Sequence, residues 1–412
     1  MEGNRTKIFI SAYACEPNLG SEIGVGWHWV MEMSKYFDLW VLTRESNRES
    51  IEGWLAENEL ENTPTFLYYD LPKKWRWWKK GLRGVRLYYM LWQRLSDEIV
   101  EHTMQQNSII IYHHLTYGNA LWSVSSYGQK QTFIWGPTSV GNSIEREFTK
   151  HYGFKSRLKE WAQRLVSSTL YFNAGFQKRC RNATLILCKT EQTLASIPSE
   201  YRDKAVLFTD VAVELIDTEQ WQSNDKRNGV VRYLSVGRLE GWRGFDLLIE
   251  AMARVTKESD KIHLDILGEG ADMKHLEQLI KRHNLQDYIT LAGQVSRDEY
   301  YQYMAECDVV VNPSLREGAV TTAFDSMSFA KPIICIDSGG YSRYFRDDYA
   351  IVLPREGREE IIDRLAEAIV RLSDAKNREE LSKGIILRRD TLSWSHKAEE
   401  IRDIIKQRLC IE

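Results

Sequence analysis

A rhythm of short β-branched and aromatic runs, separated by longer helical patterns, passes through the chain, stops, and starts again. That repetition limits the fold more than any other feature. The first series is KIFISA at 7 to 12, DLWVLT at 38 to 43, IIIY at 109 to 112, TFIW at 132 to 135 and TLILC at 184 to 188. The second is VVRYLSV at 230 to 236, HLDIL at 263 to 267, YITLA at 288 to 292, DVVVN at 308 to 312 and PIICI at 332 to 336. Such runs alternating with helices read as parallel strands joined by crossover helices. Between the series lies WQSNDKRNG at 221 to 229, a polar stretch without apolar periodicity that reads as a linker. A chain of 412 residues also exceeds what one core supports. The expected architecture is α/β with two Rossmann-like domains, residues 1–215 and 216–385, and Ile401, Ile404, Ile405 and Leu409 predict a terminal helix within 386–412 that packs back on the first domain.

Composition excludes several classes. The balance of 58 acidic against 55 basic side chains gives no case for nucleic acid. The opening MEGNRTKIFISA has too short an apolar run for a signal core or a membrane span. Cys15, Cys180, Cys188, Cys307, Cys335 and Cys410 lack metal or disulfide-framework spacing and read as reduced residues of a cytoplasmic protein.

Two constellations in the second half carry chemistry. In YLSVGRLEGWRGFDLLIEAMARV, Arg238 follows a strand and Gly237, Arg243 precedes Gly244, and Asp246 is placed as a helix N-cap. Ligands of doubly wound sheets bind at this edge, and two guanidinium groups there can grip a diphosphate. Surface ion pairs are the alternative. In NPSLREGAVTTAFDSMSFAKPIICIDSGG, a loop with Glu317 and Gly318 leads into a helix carrying Asp325. Backbone N–H groups of 318 to 321 can hold a phosphate while the carboxylates take sugar hydroxyls. A helix-start acid followed by a solvated aspartate is the alternative there.

The pairing of GRLEGWRG with SLREGAVTTAFDSMSFAKPIICIDSGG resembles the donor-binding signature of family-4 retaining glycosyltransferases of the GT-B fold, the glycosyl transferases group 1. The resemblance implies two Rossmann-like domains facing each other across a cleft. It also implies metal-independent transfer from a nucleoside-diphosphate sugar to a hydroxyl of a glycan or lipid-linked acceptor, with no cofactor, in cell-surface polysaccharide or glycoconjugate synthesis. Arg238 and Arg243 match the family's diphosphate-binding Arg and Lys; Glu317 resembles the residue contacting the donor sugar, and Asp325 the one binding the ribose. The implied donor site comprises Gly20, Gly237, Arg238, Arg243, Glu317, Gly318, Ala319, Val320, Thr321 and Asp325. Arg at 243 replaces the usual Lys, Asp at 325 replaces Glu, and Ala319 and Val320 stand where an aromatic residue and a glycine are common, which leaves the donor open. A nucleotide-sugar epimerase or hydrolase and a noncatalytic sugar-nucleotide-binding protein are the rival readings.

In the first half, SAYACEPNLGSEIGVGWHWV sets Gly20, Gly24 and Gly26 after the first strand, a turn that lets backbone approach a ligand. The G-x-G-x-x-G dinucleotide pattern is missing, which disfavours a dehydrogenase. His113 and His114 follow IIIY; the resemblance makes His113 the better match to a catalytic histidine reaching the donor sugar or acceptor, with His114 and Gly136 of FIWGPTSVGNS on the acceptor side. Residues 72–94, PKKWRWWKKGLRGVRLYYMLWQR, combine eight cations, no acid and interleaved aromatics. Such a segment suits an anionic membrane surface, and hence a peripheral protein on the inner face of the membrane, or an ordinary helix with its aromatics packed inward.

Overall fold

Strand pairing is parallel throughout and divides the strands between two sheets. The computed structural model describes residues 5–76, 78–79, 84–140, 144–221, 229–257, 259–316, 321–339 and 341–410. The first sheet contains β1 (Lys7–Ser11), β2 (Asp38–Arg44), β3 (Thr65–Tyr69), β4 (Ile111–His114), β5 (Thr132–Thr138), β6 (Leu185–Cys188) and β7 (Ala205–Leu207), in the order β3-β2-β1-β4-β5-β6-β7. The second contains β8 (Val231–Val236), β9 (Ile262–Leu267), β10 (Ile289–Gly293), β11 (Val309–Asn312), β12 (Ile333–Ile336) and β13 (Ala350–Leu353), in the order β10-β9-β8-β11-β12-β13. Central strands such as β6, LILC, and β12, IICI, are buried along their whole length. Both faces of a parallel sheet are covered by helices, so these strands read as unbroken apolar runs rather than alternating ones. In each order the direction of winding reverses once, between β1 and β4 and between β8 and β11.

The chain forms two compact units: Met1–Gly141 with Thr169–Asp210 and Trp394–Glu412, and Asn142–Ser168 with Val211–Ser393. Two boundaries differ from the expected ones. Residues 144–168, expected in the first domain, belong to the second unit because the helix Phe154–Ser168 is tied there by polar contacts. The terminal helix begins at Trp394 rather than 386, since Ala375–Arg388 is a separate helix of the second unit. Trp394–Leu409 packs on the first unit, with His28 stacked on Trp394 at 5.3 Å and Ile401 and Ile405 buried. Most of the polar stretch at 221 to 229 lies outside the described residues.

The aromatics of 72–94 are mostly core. Tyr88, Tyr89 and Trp92, on the helix Val85–Leu95, are fully buried, while Trp75 is exposed and Trp78 rests against Tyr88 at 6.4 Å. Trp77 and residues 80–83 lie outside the described residues.

Candidate functional site

The two reversals of winding mark where a doubly wound sheet opens to a ligand, at the carboxyl ends of its strands. In the second unit this place is occupied by the turn after β8 and the loop after β11. The turn is packed as closely as backbone allows. Gly244 has φ +68°, and a Cβ there would lie 2.1 Å from the carbonyl oxygen of Pro313, so only glycine lets the two loops meet. Gly244, not Asp246, precedes the helix Phe245–Val255. Asp246 is instead buried in its first turn and accepts a 3.3 Å hydrogen bond from Arg358.

Arg238 and Arg243 both sit on this turn. The Arg238 side chain is 71% exposed, and its one ion-pair contact among the described residues is Glu240 at 4.0 Å. Arg243 is held more firmly, with its guanidinium 4.4 Å from the Trp242 ring centroid and about 3.3 Å from where a Cβ on Gly237 would lie. Glu240 accepts hydrogen bonds of 2.6 Å from both Lys159 and Trp242 Nε1. Burial opposes ionisation of Glu240, yet these donors prevail and hold its carboxyl below the ordinary range. The arrangement leaves Arg238 as a solvent-facing cation beside a cation fixed on an indole face.

Glu317, Gly318, Ala319 and Val320 lie outside the described residues. Thr321 begins the helix Thr321–Ser328, and Asp325, on the same helix, accepts a 2.7 Å hydrogen bond from Tyr300 Oη. Tyr300 is a partner that sequence pattern could not supply, being 25 residues upstream on another helix. Next to the undescribed loop, Arg316 forms an ion pair with Glu160 and donates to Gln163 Oε1 at 3.0 Å. The helix Phe154–Ser168 also donates from Ser156 Oγ to Asp272 at 2.9 Å. With Lys159 on Glu240, the helix braces the β8 turn, the loop after β9 and Arg316.

In the first unit, Gly20 caps the helix Ser21–Ser34, is exposed and has no neighbour within 4 Å of where a Cβ would be. Beside it the structure collects a charged cluster that sequence reasoning missed. Glu22 accepts a 2.6 Å hydrogen bond from the backbone N–H of Tyr117, and Lys189 is ion-paired with Asp210. Burial raises the Glu22 carboxyl above its ordinary value, against the opposing pull of Lys189 and of the Tyr117 and Gly118 N–H groups. Asn18, Ser21 and Tyr117 all hold left-handed backbone, at φ 58°, 59° and 58°. Such conformations are costly for non-glycine residues and concentrate at functional edges.

His113, His114 and Gly136 are buried in the first unit. Both histidines are the last residues of β4, because pairing with β1 begins at Ile111. His113 is fully buried and its Nε2 lies 2.7 Å from the Gly136 carbonyl oxygen, which makes Nε2 the protonated nitrogen. His114 is 2% exposed and hydrogen-bonds Tyr89 Oη at 2.9 Å. Burial lowers His113 to about 4; burial and then His113 lower His114 to about 3. Gly136, at φ +116°, is buried in β5, where a Cβ would meet the Leu187 carbonyl oxygen at 2.4 Å. None of the three offers exposed surface to a sugar.

Cys15, Cys180, Cys188, Cys307 and Cys335 are buried thiols, and Cys410 is an exposed one. Among the described residues no group of three or more His, Cys, Asp or Glu side chains is arranged to hold a metal ion. No described helix is long and apolar enough to cross a membrane.

Comparison with known proteins places this geometry. The family model of glycosyl transferases group 1 matches residues 217–386. An uncharacterized glycosyltransferase of Methanocaldococcus jannaschii is 26% identical over 234 residues, covering 55% of this chain and 63% of the relative. The phosphatidylinositol N-acetylglucosaminyltransferase GPI3 subunit of Saccharomyces cerevisiae is 20% identical over 265 residues, 60% of this chain and 55% of the relative. The chain thus spans less than two thirds of the length of these curated relatives. A Campylobacter jejuni N-acetylgalactosaminyltransferase acting on a diphospho-undecaprenol-linked sugar is 35% identical over 116 residues, 28% of this chain and 30% of the relative. Among solved structures, a glycosyltransferase from Rickettsia africae superposes with a TM-score of 0.62 at 13% identity over 99% of both chains. Anabaena HepE, solved with UDP and glucose, gives 0.61 at 12% identity over 98% of this chain and all of that one. These superpositions show the fold, that of two-domain GT-B glycosyltransferases.

Proposed function

We propose that this chain, whose residues 217–386 match the family model of glycosyl transferases group 1, is a retaining transferase that moves a sugar from a nucleoside-diphosphate donor to an acceptor hydroxyl. The observation that carries this reading is the β8 turn, where Arg238 is exposed and Arg243 is fixed on Trp242 at the carboxyl edge of the sheet. Two cations there bind the donor diphosphate and stabilise the charge that grows on it as the anomeric C–O bond breaks. The transition state has oxocarbenium character. The acceptor oxygen bonds to the anomeric carbon on the face the leaving phosphate vacates, and its proton passes to that phosphate. Gly237 and Thr321 line the donor, Asp325 takes ribose hydroxyls, and Glu317 with Gly318, Ala319 and Val320 contacts the sugar. Gly20 approaches the phosphates.

The acceptor is a glycan or a lipid-linked glycan. Relatives whose names specify phosphatidylinositol or diphospho-undecaprenol support the latter. Exposed Lys73, Lys74 and Trp75 support contact of the 72–94 segment with an anionic membrane surface, at the cytoplasmic face. The reaction needs no metal or cofactor in this proposal.

The test is calorimetric titration with UDP, GDP, dTDP and CMP without metal, followed by NMR of the anomeric product formed from the donor that binds. Binding by one diphosphate nucleotide and retention at the anomeric carbon are expected. Inverted product refutes the mechanism, donor turnover that needs no acceptor indicates a hydrolase or epimerase, and binding by none indicates a noncatalytic protein.

A further inference from the structure

The helix Phe154–Ser168 is built inside out. A surface helix ordinarily turns its apolar stripe to the core and its polar face to water. At about 100° per residue, Phe154, Leu158, Trp161 and Leu165 fall within a sector about 60° wide. All four face solvent, at 73%, 57%, 63% and 54% exposure. The opposite sector carries Ser156, Glu160 and Gln163, which bind Asp272 and Arg316 of the same unit. The stripe extends about 17 Å along the helix at 1.5 Å per residue. A contiguous apolar surface of this kind, held outward by ion pairs on the other side, marks an interaction face.

Charge identifies the occupant. The helix contains Lys155, Arg157, Lys159 and Arg164 against the single acid Glu160, which is on the inward face. Arg157 is exposed beside the stripe. Pairing this stripe with that of a second copy brings together two helices of like net charge, each with four cations and one acid. An anionic bilayer offers both requirements, acyl chains for the rings and leucines and phosphates for the cations.

We propose that this face is a monotopic membrane dock, lying in the headgroup layer of an anionic bilayer with Phe154, Leu158, Trp161 and Leu165 directed into the acyl boundary. The inference stands on the helix alone and does not rest on the transferase reading. It is tested by co-sedimentation of the full chain with vesicles of phosphatidylcholine, with and without phosphatidylglycerol. Binding is expected to require phosphatidylglycerol. It should weaken by at least about tenfold in Leu158→Ser/Trp161→Ser/Leu165→Ser and about tenfold in Arg157→Glu. Because these side chains are exposed, the melting temperature of the triple variant should hold; if it does not, the single variant Trp161→Glu carries the same test. Absence of wild-type binding, or undiminished binding by the stripe variants, overturns the proposal. So does a wild-type dimer in light scattering that the triple variant converts to monomer. The variants alter this helix only, so they separate it from the 72–94 segment.

Discussion

Replacing Arg238 with alanine separates a ligand-binding role from a structural one, because the residue makes one ion-pair contact among the described residues. Its side chain is 71% exposed and Glu240, its ion-pair partner among the described residues, is 4.0 Å away. Glu240 keeps Lys159 and Trp242 as donors, so no buried charge is stranded. An exposed pair of this kind contributes at most about 1 kcal/mol, which shifts the melting temperature by at most about 4 °C. A charge-assisted hydrogen bond to a phosphate contributes about 1.5–3 kcal/mol, so the nucleoside diphosphate should bind roughly 10- to 150-fold more weakly. Arg238→Lys should recover only part of this, since an ammonium lacks the planar fork that engages two phosphate oxygens. Titration calorimetry and a thermal melt read the two quantities separately. An affinity within about threefold of wild type in a folded variant would refute the donor-diphosphate assignment, given that a tenfold change is about 1.4 kcal/mol.

Gly244→Ala should destabilise the second unit by at least about 2 kcal/mol in urea unfolding, from left-handed strain and collision with Pro313, whereas Gly20→Ala should change stability by under about 0.5 kcal/mol. Glu160→Ala should cost about 3 kcal/mol by leaving Arg316, only 11% exposed, beside the donor loop without its carboxylate; the double variant with Arg316→Ala should cost less than the sum of the two singles in the same assay. The buried histidines predict an acid-labile first unit. Their folded values, about 4 and about 3, lie below the ordinary 6.5, so the unfolded chain binds more protons as pH falls. Stability present above pH 6.5 is lost as pH drops through about 4, by about 3 kcal/mol for His113 alone. The urea midpoint should fall across that window and fall less in His113→Gln.

The β8 turn was legible because its demands are local: glycines where backbones crowd, and cations at the end of an apolar run. The cluster of Glu22, Lys189 and Asp210 was not, since its members come from three segments that meet only when the sheet order is known. The burial of the histidines was not legible either. Reading the fourth strand as 109 to 112 left them just past its end, but Ile110 is 64% exposed and pairing starts at Ile111, which draws both imidazoles into the core. Asp246 failed for a different reason. A helix-start acid suggests a cap, yet Gly244 in the left-handed region already turns the chain, and the carboxylate is left to pair with Arg358.

Residues 72–94 and 154–168 show where composition stops being informative. Both mix cations with aromatics and leucines, and the denser of the two looks more suited to a membrane. The structure turns Tyr88, Tyr89 and Trp92 of the first inward and Phe154, Leu158, Trp161 and Leu165 of the second outward. Periodicity gives the axis of an amphipathic helix but not its sign. The sign is set by what the polar face finds. For Phe154–Ser168 that face meets Asp272 and Arg316, charged groups of the loops after β9 and β11 whose own burial depends on being paired. Turning the helix over would break the Ser156–Asp272 and Glu160–Arg316 contacts and leave Arg316 without its carboxylate, a cost of about 3–5 kcal/mol. The same contacts that tie its polar face to these loops hold the apolar stripe in solvent.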